Sequence, residues 1–175
     1  SGTHSRKMDL CARSEEKMQG LFMDSGVKVK IKYQHPEARE QGLHYATSHA
    51  VGLDLRAWTD EQDVAIEPGQ RFPFKSGVAI EIETPGIAGF VFSRSGLGTK
   101  QGVVVSQGVG VIDPDYRGEI IVSLMNTSPE TRTVTHGQRV AQLVFMPAFR
   151  AQLVEAAELG ITGRGDGGFG HSGTH

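Results

Sequence analysis

The amino-acid sequence predicts an all-β protein with a jelly-roll-like, distorted barrel or sandwich. Of the 175 residues, 23 are glycine and seven are proline, a content typical of many turns and short strands. Roughly ten apolar or alternating segments lie between turn signals, and no segment has a strong helical period. Because such segments bury their apolar faces by closing or stacking sheets, we expect one domain of this architecture.

The first predicted strand is the clearest alternation in the chain. Val27, Val29, Ile31 and Tyr33 alternate with three lysines. A period of two residues predicts one buried and one solvated face. The polar stretch 34–48 is expected to be a loop, and the apolar stretch 50–58 is expected to be a buried strand.

The remaining strands are expected between further turn signals. Proline–glycine pairs at 68–69 and 85–86 and a histidine–glycine pair at 136–137 mark three of these turns. Short helical turns are expected at 95–100 and near residue 155. The other predicted strands are 64–66, 72–74, 77–83, 87–92, 103–105, 120–125, 131–135 and 140–146.

The two ends of the chain differ from its middle. Residues 1–26 show no period, so we expect a tag or flexible extension there and a barrel domain over residues 27–163. Residues 164–175 hold five glycines around Arg164, Phe169 and Ser172. Because glycine loses the most backbone entropy on ordering, this arm is expected to be mobile until an anion orders it. Glycine N–H groups can converge on phosphate oxygens, and Arg164 adds a fork of donors.

Composition and charge argue against several functional classes. A net charge of -2 does not favour a basic surface for a nucleic-acid polymer. No apolar run approaches the ~20 residues that a membrane span needs. The single cysteine, Cys11, excludes an internal disulfide and a cysteine-based metal cluster. We therefore expect a cytoplasmic protein with neither a membrane nor a nucleic-acid polymer as partner.

Two groups of polar residues, one within a predicted strand and one directly after another, are candidates for anion or metal binding. Asp54 interrupts a buried strand, where an ionised carboxylate is costly unless it is paired, hydrogen-bonded or near a metal. A structural ion pair explains it equally well. Arg94, Ser95 and Gly96 follow another strand and could cradle a phosphate with a guanidinium, a hydroxyl and an open backbone N–H. An ordinary turn is the alternative there.

The stretch 110–118 carries the strongest catalytic candidate. Asp113 directly follows two apolar residues, so we expect it near the protein interior, where a carboxylate can activate a water molecule. Tyr116 could support a sugar ring or simply lie at the rim of a site. On the last strand, Gln142 is either a ligand contact or a satisfied core amide.

The glycine-rich arm has two possible interpretations. Residues 165–172 fit the spacing of a phosphate-binding P-loop, but that motif must lie between a strand and a helix. A flap that closes over a bound phosphate ligand, with Phe169 stacking on a base, fits the position better.

Five stretches in order resemble the five motifs of trimeric dUTPases. The resemblance extends from residue 27 to residue 175, and each motif taken singly is modest support. The motifs are AVGLDLRA (50–57), RSGLG (94–98), GVIDPDYRG (110–118), GQRVAQ (137–142) and RGDGGFGHSG (164–173).

The resemblance implies a fold, an assembly and a reaction. Members of the family are jelly-roll-like (β-clip) homotrimers with exchanged C-terminal arms, and each active site is built from all three subunits. They hydrolyse dUTP to dUMP and pyrophosphate with Mg²⁺. This reaction supplies dUMP for thymidylate synthesis and keeps uracil out of DNA.

The resemblance also implies a role for each candidate residue. Asp113 resembles the residue that orients the water attacking the α-phosphorus, Tyr116 the aromatic beneath the deoxyribose, and Asp54 the residue that holds the water shell of the metal. The substrate contacts that it implies are Arg94, Ser95, Gly96, Gln107, Gly110, Val111, Tyr116, Gln142, Arg164, Phe169, Gly170 and Ser172.

Two departures from the family pattern and two competing functions remain open. Gln107 stands where related bacterial sequences often carry asparagine, and His171 replaces a common serine, which leaves Ser172 as the hydroxyl donor. A dCTP deaminase shares this fold, but the stretch 106–112 holds no glutamate to activate water. The other competitor is a non-catalytic relative that binds nucleotide to control a protein partner.

Overall fold

A computed structural model describes residues 26–60, 63–163 and 165–166. The predicted extension over residues 1–25 and the predicted contacts of Arg164, Phe169, Gly170 and Ser172 lie outside the described residues.

The described residues form ten strands and two short helices, which confirms the all-β prediction. None of these helices is long and apolar enough to cross a membrane. In chain order the elements are β1 (Val29–Tyr33), α1 (Pro36–Gln41), β2 (Gly52–Arg56), β3 (Asp63–Ile66), β4 (Arg71–Ile82), β5 (Ile87–Ser93), α2 (Ser95–Gln101), β6 (Val103–Val105), β7 (Gly110–Ile112), β8 (Glu119–Asn126), β9 (Arg132–Thr135) and β10 (Arg139–Pro147).

The strands assemble into three antiparallel sheets. One has the order β1-β4-β8-β6, the second has the order β2-β10-β5-β7, and β3 pairs with β9. Inward-facing residues of the two larger sheets form one apolar core, which includes the fully buried Leu55, Phe74, Leu124 and Leu143. Each such side chain stabilises the fold by roughly 1.5–3 kcal/mol relative to an exposed one. The second sheet carries the candidate site.

The long strand β4 corrects the prediction of two separate strands at 72–74 and 77–83. The chain continues as one strand, and the pairing with β8 shifts register between Lys75 and Ala79. Gly77 lies at this irregularity with φ +73. A Cβ added to Gly77 would lie 2.6 Å from both Ala38 Cβ and Trp58 Cδ1, so only glycine fits here.

Three further local predictions were wrong. The predicted loop 34–48 contains α1, which has proline at its first position and buries Ala38. In β1 the expected buried face is incomplete, because this strand lies at a sheet edge and Ile31 remains 39% exposed. The turn of helix expected near residue 155 does not form, since residues 148–163 carry neither helix nor strand.

An ion-pair cluster joins β1 to the end of β4. Lys28 and Lys30 lie 2.9 and 2.6 Å from the two carboxylate oxygens of Glu83. The hydrogen bond from Lys30, followed by the one from Lys28, holds the pKa of Glu83 below its ordinary value. The same hydrogen bond to Glu83, with the charge of Glu81, raises the pKa of Lys30.

Glu83→Gln should lower the free energy of unfolding slightly at neutral pH. A carboxylate whose pKa is depressed by folding stabilises the protein above its unfolded pKa of about 4.3, and this contribution disappears as the pH falls through the folded pKa. Urea unfolding at pH 7 and at pH 3 measures it, with Glu40→Gln as control because no described ion pair includes Glu40. A difference between wild type and Glu83→Gln that persists undiminished at pH 3 would contradict this assignment.

Candidate active site

The pairing register of the second sheet brings three of the candidate residues together. Gln142 of β10 lies opposite Asp54 of β2 on one side and Phe92 of β5 on the other. Arg94 follows the end of β5 directly. These residues border a surface cleft of about 510 Å³, lined by Ala46, Ala50, Val51, Gly52, Asp54, Arg94, Ser95, Gly96 and Gln142.

Asp54 is held by two arginines. The Nε of Arg94 donates to Asp54 Oδ1 at 2.9 Å, and Nη1 of Arg139 donates to Oδ2 at 3.0 Å. The carboxylate is only 19% exposed. The structure therefore contains the ion pair that the sequence offered as one explanation for this half-buried carboxylate. Because each carboxylate oxygen has two acceptor positions, Asp54 can still accept hydrogen bonds from water.

Arg94 also fixes the start of α2. Its carbonyl accepts a hydrogen bond from Gly98 N at 2.9 Å, and its Nη1 donates to the carbonyl of Arg139 at 3.3 Å. A Cβ added to Gly96 would meet no atom within 4 Å, so the backbone at Gly96 is open to an approaching ligand. Ser95 begins the helix and borders the cleft. The guanidinium of Arg94, the hydroxyl of Ser95 and the open backbone at Gly96 therefore lie beside one another.

The amide of Gln142 is anchored at the floor of the cleft. Its Nε2 donates to the carbonyl of Ser93 at 3.2 Å. Gly52 of β2 faces this amide at close range, since an added Cβ would lie 2.7 Å from Gln142 Oε1. Gln142 is thus a satisfied amide that also lines the cleft, so the two interpretations of its role are compatible.

The other group of candidate residues lies where the chain reverses between β6 and β7. We call residues 103–112 the β6–β7 hairpin, although its two strands pair with β8 and β5 and not with each other. Its turn closes with a hydrogen bond from Gly108 N to the carbonyl of Val105 at 3.0 Å. Gly110 is buried against β5, and an added Cβ would lie 3.2 Å from Val91 Cβ. Val111 is 58% exposed on the opposite face of β7, and Gln107 is exposed at the turn. The hairpin therefore offers an open edge with little side-chain bulk.

Asp113 does not lie in the protein interior, contrary to the sequence prediction. It is exposed because β7 ends at Ile112 and the chain then enters a turn, in which Tyr116 N donates to the carbonyl of Asp113 at 3.0 Å. Among the described residues, the Asp113 carboxylate has no ion-pair or hydrogen-bond partner. It is therefore free to contact a ligand.

Tyr116 and two neighbours that sequence reasoning did not single out, Arg117 and Gly118, shape this turn. Arg117 Nη1 donates to the carbonyls of Pro114 and Tyr116 at 2.6 and 3.1 Å. Tyr116 Oη donates to the carbonyl of Glu119 at 2.9 Å. The tyrosine ring lies over Gly118, where an added Cβ would come within 2.6 Å of Cζ. Gly110 was predicted to contact the substrate, whereas Gly118 was recognised only as part of the third motif.

Gly118→Ala should displace the Tyr116 ring and weaken nucleotide binding more than it slows chemistry. Because the resemblance implies that Tyr116 lies beneath the sugar of the substrate, we expect KM to rise about tenfold while kcat changes less than threefold. Steady-state kinetics measures both constants. Gly69→Asn, which introduces a side chain tolerated at positive φ in the turn before β4, is the matched control. An unchanged KM in Gly118→Ala would contradict the role assigned to the ring position.

The cleft and the hairpin are far apart within one chain. Gln142 lies opposite Phe92 of β5, whereas Ile112 lies opposite Gly89 of the same strand. The strands β2 and β7 are at opposite edges of the sheet. With ~3.3 Å per residue along a strand and ~4.8 Å between strands, the cleft carboxylate and Asp113 are on the order of 20 Å apart. A single chain does not bring both groups to one phosphate.

Arg139 is a further site residue that the sequence did not identify. It begins β10 and reaches Asp54 across the pairing with β2. Its position beside Asp54 depends on a register shift between Arg139 and Ala141, which local sequence does not reveal. Its only sequence signal is its place three residues before Gln142, which is the spacing of the fourth motif.

The antiparallel sheets and the cleft beside Arg94 define an all-β protein whose site has the hydrogen-bond donors and the positive charge to hold an anion. A family model described as dUTPase matches residues 39–173. The deoxyuridine 5'-triphosphate nucleotidohydrolase of Desulfitobacterium hafniense (strain DSM 10664 / DCB-2) is 46% identical over 149 residues, which are 85% of this chain and 98% of that protein. The chain belongs to the dUTPase family.

Solved structures agree with this assignment at the level of the fold. A variant dUTPase of Staphylococcus bacteriophage 80alpha with dUpNHpp has a TM-score of 0.69 at 24% identity and covers 83% of this chain and 98% of its own. A variant dUTPase of phage phi11 of S. aureus, solved with a structural Mg(II) ion, has a TM-score of 0.65 at 22% identity over 75% of this chain and 98% of its own. The jelly-roll-like fold predicted from the sequence is confirmed.

Proposed function

We propose that this protein hydrolyses dUTP to dUMP and pyrophosphate by attack of water on the α-phosphorus. The observation that carries the proposal is the cleft in which Asp54, Arg94, Ser95, Gly96 and Gln142 converge, in a chain of the dUTPase family. The reaction would supply dUMP and remove a precursor of uracil in DNA. The cytoplasmic location expected from the sequence stays a prediction.

The cleft binds the triphosphate. Arg94 has five N–H donors, of which one is bonded to Asp54 and one to the carbonyl of Arg139. The remaining donors are available for phosphate oxygens, to which a guanidinium binds as a bidentate fork. Ser95 adds its hydroxyl, and the open backbone at Gly96 allows its N–H to approach closely. Gln142 contributes the amide that β10 places at the floor.

The donor set of the cleft fits Mg²⁺ bound through its water shell. Asp54 is the single carboxylate among the cleft residues, and the described residues contain no cluster of three or more histidine, cysteine or acidic side chains suited to a metal. Mg²⁺ keeps several waters and commonly takes its direct ligands from substrate phosphates. When bound, it neutralises charge that develops on the phosphates. Asp54 would hold water molecules of its shell, and the two arginines fix the orientation of that carboxylate.

Asp113 orients and deprotonates the attacking water. Its carboxylate is exposed and without a described partner, as a base that must meet a substrate requires. Tyr116 lies two residues past Pro114 in the same turn and supports the deoxyribose, while Gln107, Gly110 and Val111 contact the base along the hairpin edge. These roles rest on motif matches to the family.

The separation of cleft and hairpin supports a site shared between subunits. Because the two groups are on the order of 20 Å apart along one sheet, the hairpin that meets a given cleft must come from another copy. A homotrimer with exchanged C-terminal arms provides this arrangement. The arm residues Arg164, Phe169, Gly170 and Ser172 would then close over the nucleotide, with Arg164 on the γ-phosphate and Phe169 over uracil. This assembly and these contacts remain proposals.

Incubation with dUTP or dCTP and Mg²⁺ tests the proposed function. We expect pyrophosphate and dUMP from dUTP and no ammonia from dCTP. Ammonia released from dCTP would indicate a deaminase of the same fold instead. Tight dUTP binding without any product would indicate a nucleotide-binding regulator.

A further inference from the structure

Two serines hold the side chain of Gln107 at the tip of the β6–β7 hairpin. Ser106 Oγ lies 3.1 Å from Gln107 Oε1 and 2.8 Å from Oγ of Ser123 on the neighbouring strand β8. The backbone N–H of Ser106 also donates to the carbonyl of Ser123 at 2.9 Å. Ser106 is thus attached to β8 through both its backbone and its side chain. Its hydroxyl in turn holds the amide of Gln107 in place.

The orientation of the Gln107 amide sets the direction of the hydrogen bonds, because Oε1 and not Nε2 lies next to Ser106 Oγ. An amide oxygen only accepts, and a serine hydroxyl has one proton to donate. When both bonds form, Ser123 therefore donates to Ser106, and Ser106 donates to Gln107 Oε1. The oxygen end of the amide is occupied, so its NH₂ end is the one left for another partner.

The NH₂ end of Gln107 lies at the start of β7. Gln107 Nε2 is 3.4 Å from the position that a Cβ on Gly110 would occupy, and Gly110 is buried against Val91. The amide thus folds back over a part of the hairpin that carries no side chain, at the edge where the base is proposed to bind.

Fixing the amide matters because glutamine alone does not discriminate between bases. Its NH₂ end matches the 4-carbonyl of uracil, and its oxygen end would match the 4-amino group of cytosine equally well after a 180° rotation. A mismatched donor or acceptor leaves a buried polar group unpaired, which is what makes hydrogen-bonded selectivity effective.

We propose that Ser106 and Ser123 are positioning residues that lock the Gln107 amide as a hydrogen-bond donor and thereby make the hairpin select uracil over cytosine. The inference rests on the proposed function for the identity of the ligand. It goes beyond that function because it assigns base selectivity to the hydrogen bonds that run from Ser123 of β8 through Ser106 to Gln107, which we call the relay. A purely structural role would affect only the stability of the turn.

Isothermal titration of dUpNHpp and of its cytosine counterpart, with Mg²⁺ present, tests the relay by binding alone. Wild type should prefer the uracil nucleotide strongly. In Ser106→Ala the ratio of the two affinities should fall about tenfold, and in Ser123→Ala it should fall less, because Ser106 can still donate. Ser106→Thr keeps the hydroxyl and should restore the ratio.

Gln107→Glu tests the donor assignment directly. The substitution keeps the shape of the side chain but replaces the NH₂ donor with an acceptor, so affinity for dUpNHpp should fall and the ratio should move toward cytosine. Ser128→Ala is the matched control, since the Ser128 hydroxyl also forms several hydrogen bonds, with Asn126 Oδ1, the backbone of Glu130 and Arg132 Nε, in the loop after β8. It should lower stability without changing the ratio.

The outcomes separate this inference from the proposed function. If wild type binds dUpNHpp selectively but does not hydrolyse dUTP, the hydrolysis proposal fails and the relay can still be judged from the variants. An affinity ratio that Ser106→Ala and Gln107→Glu both leave unchanged would overturn the relay. Absence of any preference for uracil in wild type would overturn it as well.

Discussion

Asp113→Asn should reduce kcat for dUTP by about 10²- to 10⁴-fold, the usual contribution of a positioned general base. The substitution keeps the size of the side chain but removes the charge and the basicity that would activate water. Because the Asp113 side chain is exposed and supports no described contact of the fold, stability should not change. Affinity for dUpNHpp should stay within about twofold, since the proposed contacts with the triphosphate are in the cleft and not at Asp113.

Asp115→Asn is the matched control for this experiment. Asp115 lies in the same turn and is also exposed, but no motif match gives it a role in water activation. Single-turnover kinetics of both variants, with calorimetric binding of dUpNHpp, separates chemistry from binding. Equal losses in the two variants would mean that the turn needs negative charge in general. Unchanged turnover in Asp113→Asn would remove Asp113 from the proposed role.

The fold could be predicted wherever burial alternates along a strand. In β8 and β10 the apolar residues facing the core recur with a period of two, and both strands were predicted to within two residues at each end. The edge strand β1 misled the prediction because its alternation is not matched by burial in a single chain. The helix α1 was missed because its stability depends on a tertiary contact, the packing of Ala38 against Gly77.

The site was predictable as a set of residue types and not as an arrangement. Asp54 and Gln142 were recognised because polar groups within apolar strands are costly without partners. Their proximity depends on the pairing of β2 with β10, which local sequence does not encode. Asp113 was placed wrongly because two preceding apolar residues suggested that the buried strand continued, whereas β7 ends at Ile112.

The C-terminal stretch after β10 has an apolar surface that a single chain leaves uncovered. Phe149, Leu153, Leu159 and Ile161 are each at least 90% exposed, and Val154 is 79% exposed. A cluster of large apolar side chains on one extended segment indicates an interaction site. Each of them would stabilise an assembly by roughly 1.5–3 kcal/mol if a second copy of this chain covered it. This stretch and the glycine-rich arm that follows it therefore have separable functions.

Two truncations should separate the function of the apolar stretch from that of the glycine-rich arm. Ending the chain after Gly163 removes the glycine-rich arm and should leave the proposed trimer intact, while dUTP turnover falls by orders of magnitude because the arm can no longer close the site. Ending it after Pro147 also removes the apolar stretch and should yield a monomer, because we expect that stretch to hold the copies together.

Sedimentation velocity or light scattering measures the assembly of both truncated forms, and circular dichroism establishes that each retains its β-sheet content. The comparison is informative because the two forms differ only in residues 148–163, whereas the strands and the cleft are the same in both. Loss of the trimer in the longer form would make the arm itself structural. A trimer that survives in the shorter form would place the subunit interface on the sheets, and the exposed apolar residues would then need another partner.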